Sequence, residues 1–188
     1  MTLKTKDQYI ESLRNLKLKV FMFGKPVENP VDNPMIRPSM NSCAKTYELA
    51  EDPQYEDLMT ATSTLTGKKV NRFTHIHQNT DDLIKKVKMQ RLLGQCTASC
   101  FQRCVGMDAG NALYCTTFEV DKKYGTHYFQ NFVNYWKQVQ EKDLTIDGAM
   151  TDPKGDRSLS PSQQEDKDLF LRIVERRPDG VVVRGAKV

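Results

Sequence analysis

The stretch from Asn79 to Gln140 constrains this chain more than any other feature, because it reads as a near-continuous succession of helices. Asn79 or Thr80 can cap the start, and Asp81 and Asp82 suit the positive end of a helix dipole. Leu83, Val87, Leu92 and Leu93 follow at roughly helical spacing, and Gly94 marks a bend. The helical pattern resumes through residues 96–119. Another helix follows Thr126 and runs to about Gln140, with Phe129, Phe132, Val133 and Trp136 on its core face. In a chain of 188 residues, 38% hydrophobic and 28% charged, there is room for one good-sized domain or a domain and a half. The first domain is therefore expected to be mainly helical.

The flanks differ. Residues 5–18 predict a helix, with Thr5 and Gln8 at capping-box spacing and Tyr9, Leu13 and Leu16 at helical intervals. Pro26, Pro30, Pro34 and Pro38 make residues 24–38 extended or turning. Residues 40–50 predict a short helix with Cys43, Tyr47 and Ala50 on one face. Residues 53–78 are polar and favour neither period. Near Leu144 the character changes. Asp147–Arg157 is loop-like, 158–168 is polar, Leu169–Glu175 reads as a strand, Pro178-Asp179-Gly180 as a turn and Val181–Val183 as a return strand. A lone hairpin is marginal in water, so something else is expected to complete its sheet. The division is placed at 1–143 for the helical domain and 144–188 for the start of a β domain.

Several partner classes are disfavoured. No apolar run reaches membrane-spanning length, and the N-terminus lacks the apolar core of a secretory signal. The net charge of +4 is modest and the basic residues are scattered apart from Lys85, Lys86 and Lys88, so neither nucleic acid nor a membrane is expected as a partner. Five cysteines are an odd number, and three sit four apart at Cys96, Cys100 and Cys104. That pattern suits a reducing cytoplasm better than a secreted disulfide scaffold.

Residues four apart on a helix are neighbours on one face, roughly 5–6 Å apart at Cβ. Cys100 and Cys104 can thus offer two thiolates to one metal centre, with Arg103 and nearby lysines stabilising their charge. A single helix presenting both thiols to a cavity or surface is the geometry this reading requires. Thiols on different elements, or deep in an apolar core, count against it. The alternative is that free cysteines act as small hydrophobes, and two ligands are too few for a closed site. The run Ala149-Met150-Thr151-Asp152-Pro153 is a second candidate. Thr151 offers a hydroxyl and an N–H, while Asp-Pro and Gly155 shape the backbone. Such a loop can lie against a planar cofactor or serve as a plain connection. His75 and His77 share one side if that segment is extended, which suits either a metal or ordinary hydrogen bonding. The chain shows no Ser–His–Asp arrangement and no HExxH.

The string Met89–Asp108, which contains Cys100-Phe-Gln-Arg-Cys104, closely resembles the cluster-binding helix of the 4-hydroxybutyryl-CoA dehydratase family. Asp147-Gly-Ala-Met-Thr-Asp-Pro-Lys-Gly-Asp-Arg157 is similar too, as are Met35-Ile-Arg-Pro38, Asp52-Pro-Gln-Tyr55 and Arg184-Gly-Ala-Lys187. The likeness covers essentially the whole chain. It implies an acyl-CoA dehydrogenase-like fold cut short: a mainly α N-terminal domain followed by the start of a β-barrel domain. It implies FAD, a [4Fe–4S] cluster, an acyl-CoA substrate, and a homotetramer or a complementary downstream chain. Cys100 and Cys104 would be cluster ligands, and Cys96 is not assigned. Ala149, Met150, Thr151, Lys154, Gly155, Asp156 and Arg157 would contact the flavin. The implied reaction is reversible dehydration of 4-hydroxybutyryl-CoA to crotonyl-CoA, with vinylacetyl-CoA isomerisation. The family's acid–base residues and other cluster ligands would lie beyond Val188, so the catalytic residues are unknown and the chain alone is expected to be inactive. The competing expectations are a cluster-free flavin-dependent aromatic hydroxylase and a non-enzymatic helical binding module.

Overall fold

The computed structural model describes residues 3–188. Its contacts divide the chain into one unit ending at Asp147 and another from Gly148 to Val188. The first unit is mainly helical. Helix α1 (Lys6–Arg14) opens with the expected reciprocal bonds between Thr5 and Gln8. Strands β1 (Val20–Met22) and β2 (Lys25–Val27) form a small antiparallel hairpin within the region of the prolines. Helix α2 (Arg37–Glu51) starts with Pro38 in its first turn, where a missing N–H does no harm. It is longer than the 40–50 helix expected, and Cys43, Tyr47 and Ala50 are buried as the spacing requires.

The stretch 53–78 folds into α3 (Glu56–Met59), an antiparallel pair of β3 (Thr60–Thr62) and β4 (Lys69–Asn71), and a 3₁₀ turn at Arg72–Thr74. Helix α4 (Thr80–Thr97) is capped by Asn79, whose side chain accepts from the Asp82 N–H. Its buried residues are Met89 and Leu93, whereas Leu83 and Val87 are exposed. Helices α5 (Cys104–Tyr124) and α6 (Tyr128–Glu141) then pack together. A Cβ on Gly110 of α5 would overlap the Trp136 ring of α6, so only glycine allows this close approach. Phe132 and Trp136 are buried and stack at 5.4 Å.

One expectation fails here. Residues 96–119 are not one helix: α4 ends at Thr97, Ala98 turns left-handed (φ 50°), and α5 begins only at Cys104. No glycine or proline announces this break. Its cause is tertiary, since Phe101 and Arg103 are both drawn into the interior.

The core comprises three apolar clusters among the described residues. One joins α2, α3, α4 and α5 through Leu49, Met59, Phe73, Met89, Leu93, Phe101 and Met107. A second sets Tyr9 of α1 against Met40, Cys43 and Tyr47 of α2. The third gathers Ile76, Phe132, Trp136 and Val139, with Leu144 and Ile146 packed against it.

The second unit holds a 3₁₀ turn (Pro161–Gln163) and an antiparallel hairpin of β5 (Arg172–Arg177) and β6 (Gly180–Arg184), joined at the expected Pro178-Asp179 turn. Among its described residues Gln164 alone is fully buried. Ile173, Val174, Val181 and Val183 are all substantially exposed.

Candidate functional site

The segment Cys100–Cys104 alternates in its depth. Phe101 and Arg103 turn inward, Cys100 and Gln102 face out, and Cys104 is half-buried. The Phe73 ring is the shared anchor. Phe101 packs against it with ring centroids 5.6 Å apart, and the Arg103 guanidinium lies 5.0 Å from its centre. The same guanidinium sits 4.4 Å from the Tyr47 ring. It donates to Thr46 Oγ1 (3.1 Å), Asp143 Oδ1 (3.3 Å) and the Leu144 carbonyl (3.2 Å). Only 1% of the Arg103 side chain is exposed. A charge so placed must be paired and hydrogen-bonded. The expectation that Arg103 stabilises the thiolates directly is therefore corrected: its charge is committed to the interior.

The pairing extends outward from Asp143. That residue holds a left-handed conformation (φ 42°) after α6. Its other carboxylate oxygen accepts from the Lys4 N–H at 3.2 Å, and its carbonyl accepts from the Tyr47 hydroxyl at 3.0 Å. Burial pushes the Tyr47 phenol up to about 12, against the downward pull of Arg103.

With Phe101 and Arg103 turned inward, Cys100 is left exposed and Cys104 half-buried. They stand on a loop and at a helix start, not on one helix, so the single-helix geometry expected of the spacing is wrong. By the criterion attached to that expectation, thiols on different elements count against ligation. The loop nevertheless leaves the Cys100 thiol near enough to act on that of Cys104. Burial, then this neighbour, raises the Cys104 thiol above its ordinary value. The Gln102 N–H donates to Cys100 Sγ at 3.5 Å. Cys104 sits at the start of α5, where the helix dipole favours a thiolate. Two sulfurs match half of the four ligand positions a cluster usually takes. Among the described residues no group of three or more His, Cys, Asp or Glu could hold a metal ion by itself. Cys96, in the last turn of α4, is exposed and lines a different cleft with Lys45 and Glu48.

The second candidate, residues 149–157, lies at the start of the second unit. Lys154, Gly155, Asp156 and Arg157 surround a cleft of about 230 Å³ together with Asp152, Pro153 and Phe170. This is below the usual range for pockets that enclose small molecules. Gln164 shapes it, accepting from the Asp156 N–H (3.0 Å) and donating to the Asp156 carbonyl (2.8 Å). A Cβ on Gly155 would press on Gln164 and Leu169. Ala149 and Met150 lie outside the cleft lining. Thr151 directs both its N–H and its hydroxyl to the Val188 carbonyl, at 3.1 and 2.8 Å.

A third group was only partly visible in the sequence. His75 and His77 do project from extended backbone, with ring centroids 6.2 Å apart. His75 Nε2 meets Asp82 Oδ2 at 3.1 Å, and Asp82 Oδ1 pairs with Arg72 at 3.2 Å. Arg72 also donates to the Leu58, Asp57 and Thr60 carbonyls. Arg72, His75 and Asp82 line an open cleft of about 660 Å³. Burial, with Lys86 and His75 nearby, lowers the His77 pKa. Nothing in the apolar periodicity could have revealed Arg72 or Asp82, because both are held by polar partners.

Comparison with known proteins sets these observations in a family. Residues 5–188 match the model described as 4-hydroxyphenylacetate 3-hydroxylase N terminal. The chain is 69% identical over 185 residues to the 4-hydroxybutyryl-CoA dehydratase/vinylacetyl-CoA-Δ-isomerase of Clostridium aminobutyricum, covering 98% of this chain and 38% of that protein. A solved structure of an oxygen-tolerant archaeal 4-hydroxybutyryl-CoA dehydratase from N. maritimus superposes with a TM-score of 0.90 at 57% identity, covering 99% of this chain and 37% of that one. The oxygenase component of 4-hydroxyphenylacetate 3-monooxygenase, solved with FAD and 4-hydroxyphenylacetate, shares the fold with a TM-score of 0.74 at 23% identity, covering 97% of this chain and 37% of that one. The chain thus spans little more than a third of the length of the relatives it matches.

Proposed function

Because the chain belongs to the 4-hydroxyphenylacetate 3-hydroxylase N-terminal family, we propose that it is the N-terminal part of a 4-hydroxybutyryl-CoA dehydratase that also isomerises vinylacetyl-CoA. The observation that carries this reading is the 69% identity to the clostridial enzyme. Relatives named as 4-hydroxyphenylacetate monooxygenases reach only 29%, which favours the dehydratase over an aromatic hydroxylase.

In this reading Cys100 and Cys104 hold one side of a [4Fe–4S] cluster, and its remaining ligands and the acid–base residues lie beyond Val188. Residues 149–151 and 154–157 border an FAD. Support for the flavin is that a relative of the same fold was solved with FAD bound. When bound, the two groups supply one-electron chemistry and a Lewis-acidic iron for the leaving hydroxyl. The chain's own contribution is to hold. Phe101 and Arg103 fix the thiol-bearing loop, and Gly155 and Gln164 fix the backbone of the second loop. The exposed β5–β6 hairpin is the start of a β-barrel in an acyl-CoA dehydrogenase-like fold, with 1–143 as its helical domain. The complete enzyme is a cytoplasmic homotetramer acting on an acyl-CoA. No helix among the described residues is long and apolar enough to cross a membrane.

The test is anaerobic reconstitution with iron, sulfide and FAD, followed by 4-hydroxybutyryl-CoA and detection of crotonyl-CoA. The 188-residue chain alone should give no turnover. The chain joined to the remaining sequence of the clostridial relative should turn over and should lose bound iron when Cys100 or Cys104 is replaced by Ser. Turnover by the isolated chain would overturn the placement of the catalytic residues.

A further inference from the structure

The loop between α4 and α5 holds two residues of L-configuration in left-handed backbone, Ala98 (φ 50°) and Gln102 (φ 61°). Such conformations persist only where the surroundings over-determine them, at about 1–3 kcal/mol each. Here the surroundings are the inward pulls of Phe101 and Arg103, which converge on the Phe73 ring from the two sides of Gln102. Cys100 immediately precedes the first anchor and Cys104 immediately follows the second.

We infer that Arg103 is a positioning residue: its buried contacts with Phe73, Tyr47, Thr46 and Asp143 set the separation of the Cys100 and Cys104 sulfurs, making them a two-point site for a thiophilic metal centre. This rests on the cluster reading above and names the residue that makes it work. Arginine is required by shape as well as by charge. Its planar group stacks against two aromatic rings while its edge donates to three acceptors fixed on α2 and on residues 143–144. A lysine supplies the charge without the fork or the flat face. The peptide that follows the Arg103 Cα carries Cys104, so a shift of the guanidinium is passed directly to the second sulfur. Cys100 is set by Phe101 and by the Gln102 N–H on its sulfur. Loss of the Arg103 anchor therefore moves one sulfur relative to the other.

The experiment titrates Cd²⁺ into the reduced full chain and follows the sulfur-to-cadmium charge-transfer absorption, with circular dichroism reporting the fold. The parent chain should bind one Cd²⁺ through both sulfurs, and Cys100→Ser or Cys104→Ser should each halve the band. Arg103→Lys, with helix content unchanged, should also show the reduced band and bind Cd²⁺ roughly ten- to a hundredfold more weakly. A folded Arg103→Lys protein with the parent's band and affinity overturns the inference while leaving the thiol pair, and hence the cluster reading, intact. Failure of the parent chain to bind Cd²⁺ through these sulfurs overturns both. Should Arg103→Lys not fold, Thr46→Val decides, since it removes one acceptor of Arg103 and keeps the volume. Weaker Cd²⁺ binding then supports the inference, and unchanged binding overturns it.

Discussion

The loops at 98–103 and 149–157 both follow helical stretches, and both were singled out by their sequence, but they are held in opposite ways. The first is locally strained and globally anchored. Its left-handed residues are tolerated because Phe101 and Arg103 reach into a core built by four helices. The second is folded over the side chain of Gln164, in a unit with no buried apolar side chain among its described residues. One loop takes its geometry from the interior. The other takes it from a few hydrogen bonds near water, each worth about 0.5–1.5 kcal/mol net. Side chains that must keep a fixed separation are better served by the first arrangement.

The sharpest way to break this contrast is Asp143→Ala. It leaves the Arg103 charge buried without its carboxylate, and removing one partner of such a pair costs about 3–5 kcal/mol. Denaturant unfolding should show a loss of that size. A loss below about 1 kcal/mol would mean that the loop holds itself, and the contrast would be gone.

Acid gives the next largest effect. Burial pushes the Asp82 carboxyl up, but the Gln78 N–H, His75 and Arg72 together outweigh it and hold it below the ordinary 3.8. A depressed carboxylate contributes stability that is fully present above 3.8 and is lost as the pH falls through its lower folded value. Asp82→Asn should cost about 2 kcal/mol at neutral pH and should flatten the acid limb of the stability curve. An acid limb identical to the parent's would remove Asp82 from the account.

The smallest effect belongs to the second loop. Gln164→Ala should loosen residues 155–159 by about 1 kcal/mol, read as faster amide exchange there with unchanged protection in α4 and α5. Slowed exchange, or a loss as large as that of Asp143→Ala, would show that this loop too is governed by a core.

Parts of this fold were legible in the sequence for physical reasons. Thr5 and Gln8, Asn79 with Asp82, and the Pro178-Asp179-Gly180 turn are local signals, and local chemistry decides them. The aromatic stripe through Phe132 and Trp136 is periodic, and periodicity reports burial. The break at Ala98–Arg103 was not legible. Its residues carry no turn signal, and the helix is abandoned because of partners as distant as Phe73 and Asp143. The segment 53–78 was opaque for the reverse reason: Arg72, Asn71 and Thr74 are buried through polar bonds, which leave no apolar period to read. The cysteine spacing implied a helix that does not exist between Cys100 and Cys104.

The bond from the Lys4 N–H to Asp143 joins residues 139 positions apart, and its consequence is one of timing. Contacts between distant parts of a chain must overcome the entropy of closing a long loop, so they form after the local helices. During synthesis residue 143 also emerges after the segment it anchors. Helices α4 and α5 can therefore exist before Asp143 arrives to receive Arg103, and the sulfur pair acquires its spacing last. The order of events would run from helices, to clasp, to a fixed thiol spacing.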